Sequence, residues 1–357
     1  MSTLYPSYQS ENGSRKGALK FAAQAFWRIP GCFGIARLLG PAYSLRCVVF
    51  HDISAEETPF TRGMGASITP TEFESVLRFL TRYYNPVHLQ DVLNDADGRG
   101  LPPRPLLVTF DDGYASVMEW AAPLCRKFGV PAVFFLNAAF LDNHRLAPDS
   151  FVCFVANVLG METINAAVRV AKGVDSPKLN CMAEVFSRFF PSISLAEREV
   201  FLDALAHLGR INGGKLAEEA HLYVTRKQVG ELASSGFEIG NHTYTHVRCR
   251  SLTTENVAGE VDRNKVELEA VSGKKVRSFS VPYGSSKDLS SDLVGHLKLS
   301  GHEVVFLSEN AANLRDVDQF HLDRVSAHAD NEGTLFFQIE VLPRLRATRN
   351  RFFRTRV

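Results

Sequence analysis

The stretch that decides the fold of this chain is residues 106–114, which read LLVTFDDGY. The first half of this stretch, residues 106–110, is an unbroken apolar run. Such a run is typical of a strand buried on both faces of a parallel sheet. The run ends in Asp111 and Asp112, and Gly113 then allows the backbone to turn sharply. A strand, an acidic pair, a tight turn and a helical pattern are the layout of the carboxyl edge of a β/α barrel, where catalytic residues collect.

The two adjacent carboxylates of Asp111 and Asp112 repel each other, so keeping both ionised requires a compensating positive charge. A metal ion supplies that charge most directly, with one aspartate as a ligand and the other free to act as a base. The alternative for this segment alone is a turn in which an aspartate caps the next helix.

The composition is that of an ordinary globular protein. The 357 residues are 45% hydrophobic and carry a formal net charge of +1, so we expect no nucleic-acid partner. The length allows one large α/β domain, or one domain with an insertion. None of the six cysteines forms a CxxC pair, and their spacing predicts reduced, buried thiols rather than a zinc knuckle or a disulfide framework.

The sequence pattern divides the chain into three parts. Residues 1–44 form a polar tail and an interrupted amphipathic segment with neither a bilayer-spanning run nor a signal-peptide pattern. Residues 45–330 form a catalytic domain with a helical insertion at about 151–222, and 331–357 form a C-terminal helix or basic tail. We therefore expect a cytoplasmic protein of unknown oligomeric state. A peripheral membrane contact through the amphipathic segment is the alternative to its packing on the domain.

Histidines follow two other predicted strands. His51 comes directly after the apolar run 46–50, a position where a histidine is either catalytic or hydrogen-bonded within a loop. His242 and His246 follow the short run 237–241, and if the chain turns helical at His242 both imidazoles lie on one face. Two histidines and one carboxylate make three protein ligands and leave an open position for water, as in a hydrolytic zinc site.

Two later segments of the sequence contain further residues of interest. Pro282-Tyr283-Gly284 closes the predicted strand 276–281, and a backbone N–H at such a turn can donate to an oxyanion, although a plain Pro-Gly turn is the alternative. Arg324 lies on a further strand candidate, 320–325.

These motifs resemble those of the polysaccharide deacetylase family, the NodB-homology or family 4 carbohydrate esterases. TFDDGY at 109–114 matches the first family motif, HTYTH at 242–246 matches the H-[ST]-x-x-H second motif, and FSVPYG at 279–284 is similar to the third. The resemblance runs from about 46 to 325 and is weakest across the insertion. VFH at 49–51 resembles a subgroup in which a strand and a histidine precede the first motif.

The resemblance implies a distorted (β/α) barrel of the NodB-homology type and a metal-dependent deacetylase. It implies that a divalent ion, commonly zinc, is held by Asp112, His242 and His246. It also implies further catalytic roles: Asp111 as general base, His51 as the general acid that protonates the departing amine, and the backbone N–H of Tyr283 as an oxyanion donor.

One departure from the family pattern concerns the residue that steadies the base. Many members have an arginine two residues before the proline of the third motif, where this chain has Ser280. Arg324 could substitute for it from a neighbouring strand, and a surface salt bridge is the alternative for that residue. The family's late Leu-x-x-His motif also has no clear match, which favours His51 as the acid.

The sequence thus predicts an enzyme that removes an N-acetyl group from an amino sugar in a polysaccharide, a lipid-linked saccharide or a sugar precursor. The alternatives are an amidase acting on a non-sugar amide and a carbohydrate-binding module without catalysis. The presence of Asp111 argues against the binding module, because binding alone needs no base.

Overall fold

A computed structural model describes residues 44–95, 100–313, 318–328 and 331–347. Apart from Ser44, the predicted N-terminal tail and amphipathic segment lies outside the described residues. The described part of the predicted C-terminal segment is largely helical: Glu332–Phe336 is α-helical, Phe337–Val341 is a π-helical turn, and residues 342–347 are again α-helical.

The centre of the fold is a parallel sheet. Its strands are β1 Arg46–Phe50, β4 Asn85–Pro86, β5 Pro105–Phe110, β6 Ala132–Leu136, β7 Glu238–Asn241, β8 Ser278–Ser280, β9 Val304–Leu307, β10 Leu322–Asp323 and β11 Val325–Ser326. They follow the order β10-β9-β8-β7-β6-β5-β1-β11, with β4 beside β5. Two short strands, β2 Asp52–Ile53 and β3 Ser67–Ile68, form a separate parallel pair. All six residues of β5 are buried, as the apolar run predicts.

One short segment joins the two edges of the sheet. β10 pairs with β9 through Leu322 and Phe306, β11 pairs with β1 through Val325 and Val48, and only Arg324 separates β10 from β11. Residues 322–326 therefore bring the sheet round nearly to a closed barrel. The predicted distorted (β/α) barrel with a helical insertion is confirmed.

The strand register places the motifs at one rim. Phe50 pairs with Phe110, so His51 and Asp111 leave neighbouring strands side by side. Leu136 pairs with Asn241, so His242 leaves the same rim two strands beyond Asp111, with β6 between them. Because the carboxyl ends of parallel strands meet at one face of a barrel, residues distant in sequence are brought together there.

Helices surround the barrel, and several of them begin at capping boxes. Thr69 and Glu72 form a capping box at the first helix, and Thr225 and Gln228 form another. The α-helices are α1 Pro70–Tyr83, α2 Leu89–Asn94, α3 Ala122–Phe128, α4 Pro148–Val158, α5 Met161–Lys172, α6 Met182–Glu184, α7 Leu195–Gly209, α8 Gly213–Ala220, α9 Arg226–Ser234, α10 Arg263–Ser272, α11 Ser291–Leu299 and α12 Glu332–Phe336. Further π-helical turns are Val117–Ala121, Val185–Phe189 and Ala258–Asp262. The 3-10 turns are Ala138–Asn143, Phe190–Ser192, Cys249–Ser251, Pro282–Gly284, Ser286–Asp288 and Gln319–His321.

Helices α4 to α8 form the insertion between β6 and β7, and they begin at Pro148, slightly before the expected start at 151. The apolar side chains of this insertion form a second hydrophobic cluster, which includes Phe151, Phe189 and Phe201. Tyr114, which follows the acidic pair, belongs to the same cluster. The insertion is therefore packed against the rim that carries the motifs.

The structure also bears on two sequence features, the possibility of a membrane-spanning segment and the state of the cysteines. Among the described residues, no helix has both the length and the apolar character needed to cross a bilayer. The described cysteines are all free thiols; Cys181 is exposed and the others, Cys47, Cys125, Cys153 and Cys249, are buried. Cys32 lies outside the described residues.

Candidate metal centre

Asp112, His242 and His246 bring three ligand atoms together at the carboxyl rim. The Oδ1 atom of Asp112 lies 3.4 Å from Nε2 of His242 and 3.4 Å from Nε2 of His246. All three ligand atoms lie within 4.8 Å of one another. Residues 130 positions apart in the chain thus form one compact N, N, O cluster, a donor set that suits zinc.

The backbone that carries these ligands is irregular rather than helical. Thr243 and His246 have positive φ angles of 62° and 52°, and no helix begins at His242. The helical turn considered for His242 is therefore not formed, although the two histidine rings do lie 4.9 Å apart. Asp112 also has a positive φ, 70°. Left-handed conformations of non-glycine residues are costly and concentrate at functional sites.

The outer nitrogen of each histidine is already engaged, which directs the other nitrogen toward Asp112. Nδ1 of His242 lies 2.8 Å from the carbonyl oxygen of Ser280, which can only accept, so this nitrogen donates. Nδ1 of His246 lies 2.5 Å from Oδ2 of Asp149. In the neutral form of each imidazole, Nε2 therefore carries the lone pair, and that lone pair faces the cluster. Such outer partners are usual for histidines that ligate metals.

A cation fits the cluster because it would satisfy a buried oxygen. Oδ1 of Asp112 is buried and has no hydrogen-bond partner among the described residues. Burial alone would raise the pKa of Asp112, but His246 and His242 offset that effect and hold the pKa well below its ordinary value. An ionised, buried carboxylate oxygen without a donor is unfavourable unless a positive charge lies against it.

Asp111 faces the same rim but has different partners. Its carboxylate accepts hydrogen bonds from Nη1 and Nη2 of Arg324, both at 2.7 Å, and from Oγ of Ser280 at 3.2 Å. Burial would raise the pKa of Asp111, whereas the guanidinium of Arg324, followed by the imidazole of His242, lowers it, and the net shift is downward. The acidic pair is therefore divided into one carboxylate paired with arginine and one facing two histidines.

Arg324 has no exposed surface, so the alternative of a surface salt bridge is wrong. Its Nε donates to the carbonyl oxygen of Leu307 at 3.0 Å, and Nη2 donates to Oγ of Ser280 at 2.7 Å and to Oγ of Ser308 at 2.9 Å. The short side chain at Ser280 leaves room for this guanidinium. Arg324 thus reaches Asp111 from the segment that joins the two edges of the barrel.

His51 is buried beside the acidic pair, where the strand register puts it. Burial lowers the pKa of His51 more than the nearby carboxylates of Asp112 and Asp111 raise it. Its imidazolium form is consequently a stronger acid than that of an exposed histidine.

Tyr283 lies at the same rim in a left-handed turn with φ of 63°. Its hydroxyl donates to Oδ1 of Asp149 at 2.8 Å, and its ring centre lies 5.0 Å from that of His246. The guanidinium of Arg248 lies over the tyrosine ring, 4.1 Å from the ring centre. The structure thus brings all seven predicted site residues to one rim.

Asp149 is the site residue that sequence reasoning missed. It belongs to the insertion and matches no motif, and its only sequence signal is its place in the first turn of a helix that begins at Pro148. A carboxylate in the first turn of a helix is normally interpreted as a residue that stabilises the helix end, because the helix dipole favours negative charge there.

Comparison with known proteins identifies the family to which this chain belongs. A family model described as polysaccharide deacetylase matches residues 98–302, which is more than half of the chain. The chain therefore belongs to the polysaccharide deacetylase family, and carbohydrate deacetylation is the activity of its class. A curated relative, the uncharacterized protein YlxY of Bacillus subtilis (strain 168), is 30% identical over 69 residues, which cover 19% of this chain and 22% of that protein.

Solved structures share the fold at low sequence identity. Streptococcus pyogenes deacetylase PplD, in complex with acetate, is 12% identical with a TM-score of 0.55, and the match covers 83% of this chain and 98% of that one. IcaB from Ammonifex degensii is 18% identical with a TM-score of 0.52, covering 84% of this chain and 97% of its own. At these identities the likeness shows the barrel fold alone.

Proposed function

We propose that this protein is a metal-dependent hydrolase that removes an N-acetyl group from an amino sugar of a polysaccharide, a lipid-linked saccharide or a sugar precursor. The observation that supports the proposal most strongly is that the two adjacent aspartates have different partners at the same rim. Asp112 faces two histidine nitrogens at 3.4 Å, while its neighbour Asp111 is held by Arg324. A ligand and a base are thereby available side by side.

Asp112, His242 and His246 would hold one divalent ion, which we propose to be zinc. The ion would supply Lewis-acid assistance to the hydrolysis of an amide. The buried Oδ1 of Asp112 and the two Nε2 atoms offer it one carboxylate and two neutral imidazole donors.

Asp111 would act as the general base that takes a proton from the attacking water. Its lowered pKa keeps the carboxylate ionised at neutral pH, and the two hydrogen bonds from Arg324 fix its orientation. His51, on the adjoining strand, would give a proton to the departing amine, which is a poor leaving group without one. General acid–base steps of this kind contribute about 10²–10⁴-fold to a rate.

The main-chain N–H of Tyr283 would help hold the oxyanion that forms on the acetyl carbonyl. The left-handed turn at this residue orients its backbone at the rim, beside His246. Donors held in place before the reaction stabilise such a charge without reorganisation.

The proposal is tested by measuring acetate release from three groups of N-acetylated substrates: oligosaccharides, lipid-linked saccharides and nucleotide sugars. The parent protein should release acetate from at least one group, and Asp111→Asn should release at most about one hundredth as much, the lower limit for loss of a general base. A fourth substrate, an N-acetylated amine that is not a sugar, is assayed beside them, and acetate release from that substrate alone would favour the amidase alternative. Saccharide binding with equal, background acetate release from both proteins would favour the binding module.

A further inference from the structure

One carboxylate of the insertion contacts a residue of the candidate metal centre. Asp149, in the first turn of α4, is only 4% exposed. Its Oδ2 lies 2.5 Å from Nδ1 of His246, and its Oδ1 accepts from the hydroxyl of Tyr283 at 2.8 Å. Both oxygens of this carboxylate therefore form hydrogen bonds with residues at the rim of the barrel.

The start of α4 is fixed by a second set of contacts, which limits the movement of Asp149. The hydroxyl of Tyr223 donates to Oγ of Ser150 at 3.0 Å and accepts from the backbone N–H of Ala147 at 3.1 Å. Ser150 is fully buried. The residues on both sides of Asp149 are thus anchored to the chain that leaves the insertion.

We infer that Asp149 is a positioning residue that orients His246 for metal binding and makes the insertion part of the metal centre. This inference rests on the proposed function, because it requires the metal site. A carboxylate that accepts from Nδ1 fixes the ring orientation of a histidine and makes Nε2 a better donor. Loss of such an outer partner typically weakens metal affinity 10–100-fold.

The test is a zinc titration of the full-length protein against a chromophoric chelator. Asp149→Ala should raise the dissociation constant for zinc about 10–100-fold, by the cited effect of an outer partner. Asp149→Asn should cause a smaller rise, because an amide oxygen still accepts from Nδ1 but carries no charge. Tyr283→Phe should also cause a smaller rise, since it removes only the hydroxyl that steadies Asp149. Asp175→Ala, an exposed carboxylate of the same insertion, serves as the matched control and should bind zinc like the parent.

A purely structural role would give a different pattern. Asp149→Ala would then lower the unfolding midpoint of the zinc-free protein while leaving the zinc dissociation constant unchanged, and that result would overturn the inference. If Asp149→Ala does not fold, parent-like zinc binding by Asp149→Asn together with Tyr283→Phe would overturn it equally. Failure of the parent protein to bind zinc would instead contradict the proposed function, so the two failures can be told apart.

Discussion

Both carboxylate oxygens of Asp111 accept hydrogen bonds from one guanidinium, that of Arg324, at 2.7 Å each. The two residues are 213 positions apart, and Arg324 lies between the strands that pair with the two edges of the sheet. One ion pair thus connects the closing segment of the barrel to the proposed general base.

The first prediction concerns the stability that this ion pair provides. Arg324→Met should lower the free energy of unfolding by about 3–5 kcal/mol, because it leaves the buried carboxylate of Asp111 without a partner. Denaturant unfolding measures the loss. Arg78→Met, which breaks the more exposed pair with Glu74, should lower the free energy of unfolding far less, because solvent screens that pair. Adding Asp111→Asn to Arg324→Met should recover part of the loss, and strictly additive losses would contradict a direct pairing.

The second prediction separates the two neighbouring aspartates. Asp112→Asn should lose both zinc and acetate release, because it weakens one of three metal ligands. Asp111→Asn should keep about one zinc per chain, as expected for a single three-ligand site, and should lose about 10²–10⁴-fold in turnover. Elemental analysis beside the acetate assay makes the comparison. Near-parental turnover of Asp111→Asn would refute its role as the base.

The third prediction concerns His51 as the proton donor. His51→Ala should keep its zinc and lose turnover on an N-acetyl substrate, because the amine must leave with a proton. The loss of turnover caused by His51→Ala should be smaller on an aryl acetate than on the N-acetyl substrate, because the aryl leaving group needs no proton. Equal deficits on the two substrates would show that His51 has a role other than proton donation.

The fourth prediction concerns the dependence of stability on pH. Burial, and next to it the charge of Glu309, raises the pKa of Asp323 from 3.8 to about 7. A raised pKa in the folded protein gives stability that is fully present below the ordinary pKa and is lost as the pH rises through about 7. Asp323→Asn should therefore show a smaller fall in unfolding free energy between about pH 4 and pH 7 than the parent, by the same linkage.

Asp175→Asn is the matched control for this measurement, because its carboxylate is exposed and should leave the parental slope unchanged. A parental slope in Asp323→Asn would mean that this residue does not cause the pH dependence.

The barrel rim was predictable because its signals are local. The run 106–110 specifies a buried strand by its apolar side chains alone, and parallel register then brings strand ends such as His51 and Asp111 together. The sequence pattern alone marks these residues as charged groups that follow apolar runs, and the family resemblance implies their individual roles.

The rest of the site depends on contacts that sequence spacing does not encode. His242 and His246 meet through two left-handed residues rather than through a helix, and no local pattern in HTYTH distinguishes these two geometries. The pairing of Asp149 with His246 joins the insertion to the barrel across 97 positions and follows from tertiary packing alone. Arg324 could be suggested as the partner of Asp111, but only the closed sheet brings it there.

The central claim is that hydrolysis depends on a metal held beside Asp111. The most direct test measures acetate release from an N-acetylated saccharide by the same protein sample before chelation, after complete removal of metal, and after addition of one equivalent of zinc. We predict that activity is lost on chelation and returns with zinc in the parent, but does not return in His242→Ala. Undiminished acetate release from the metal-free protein would contradict the account.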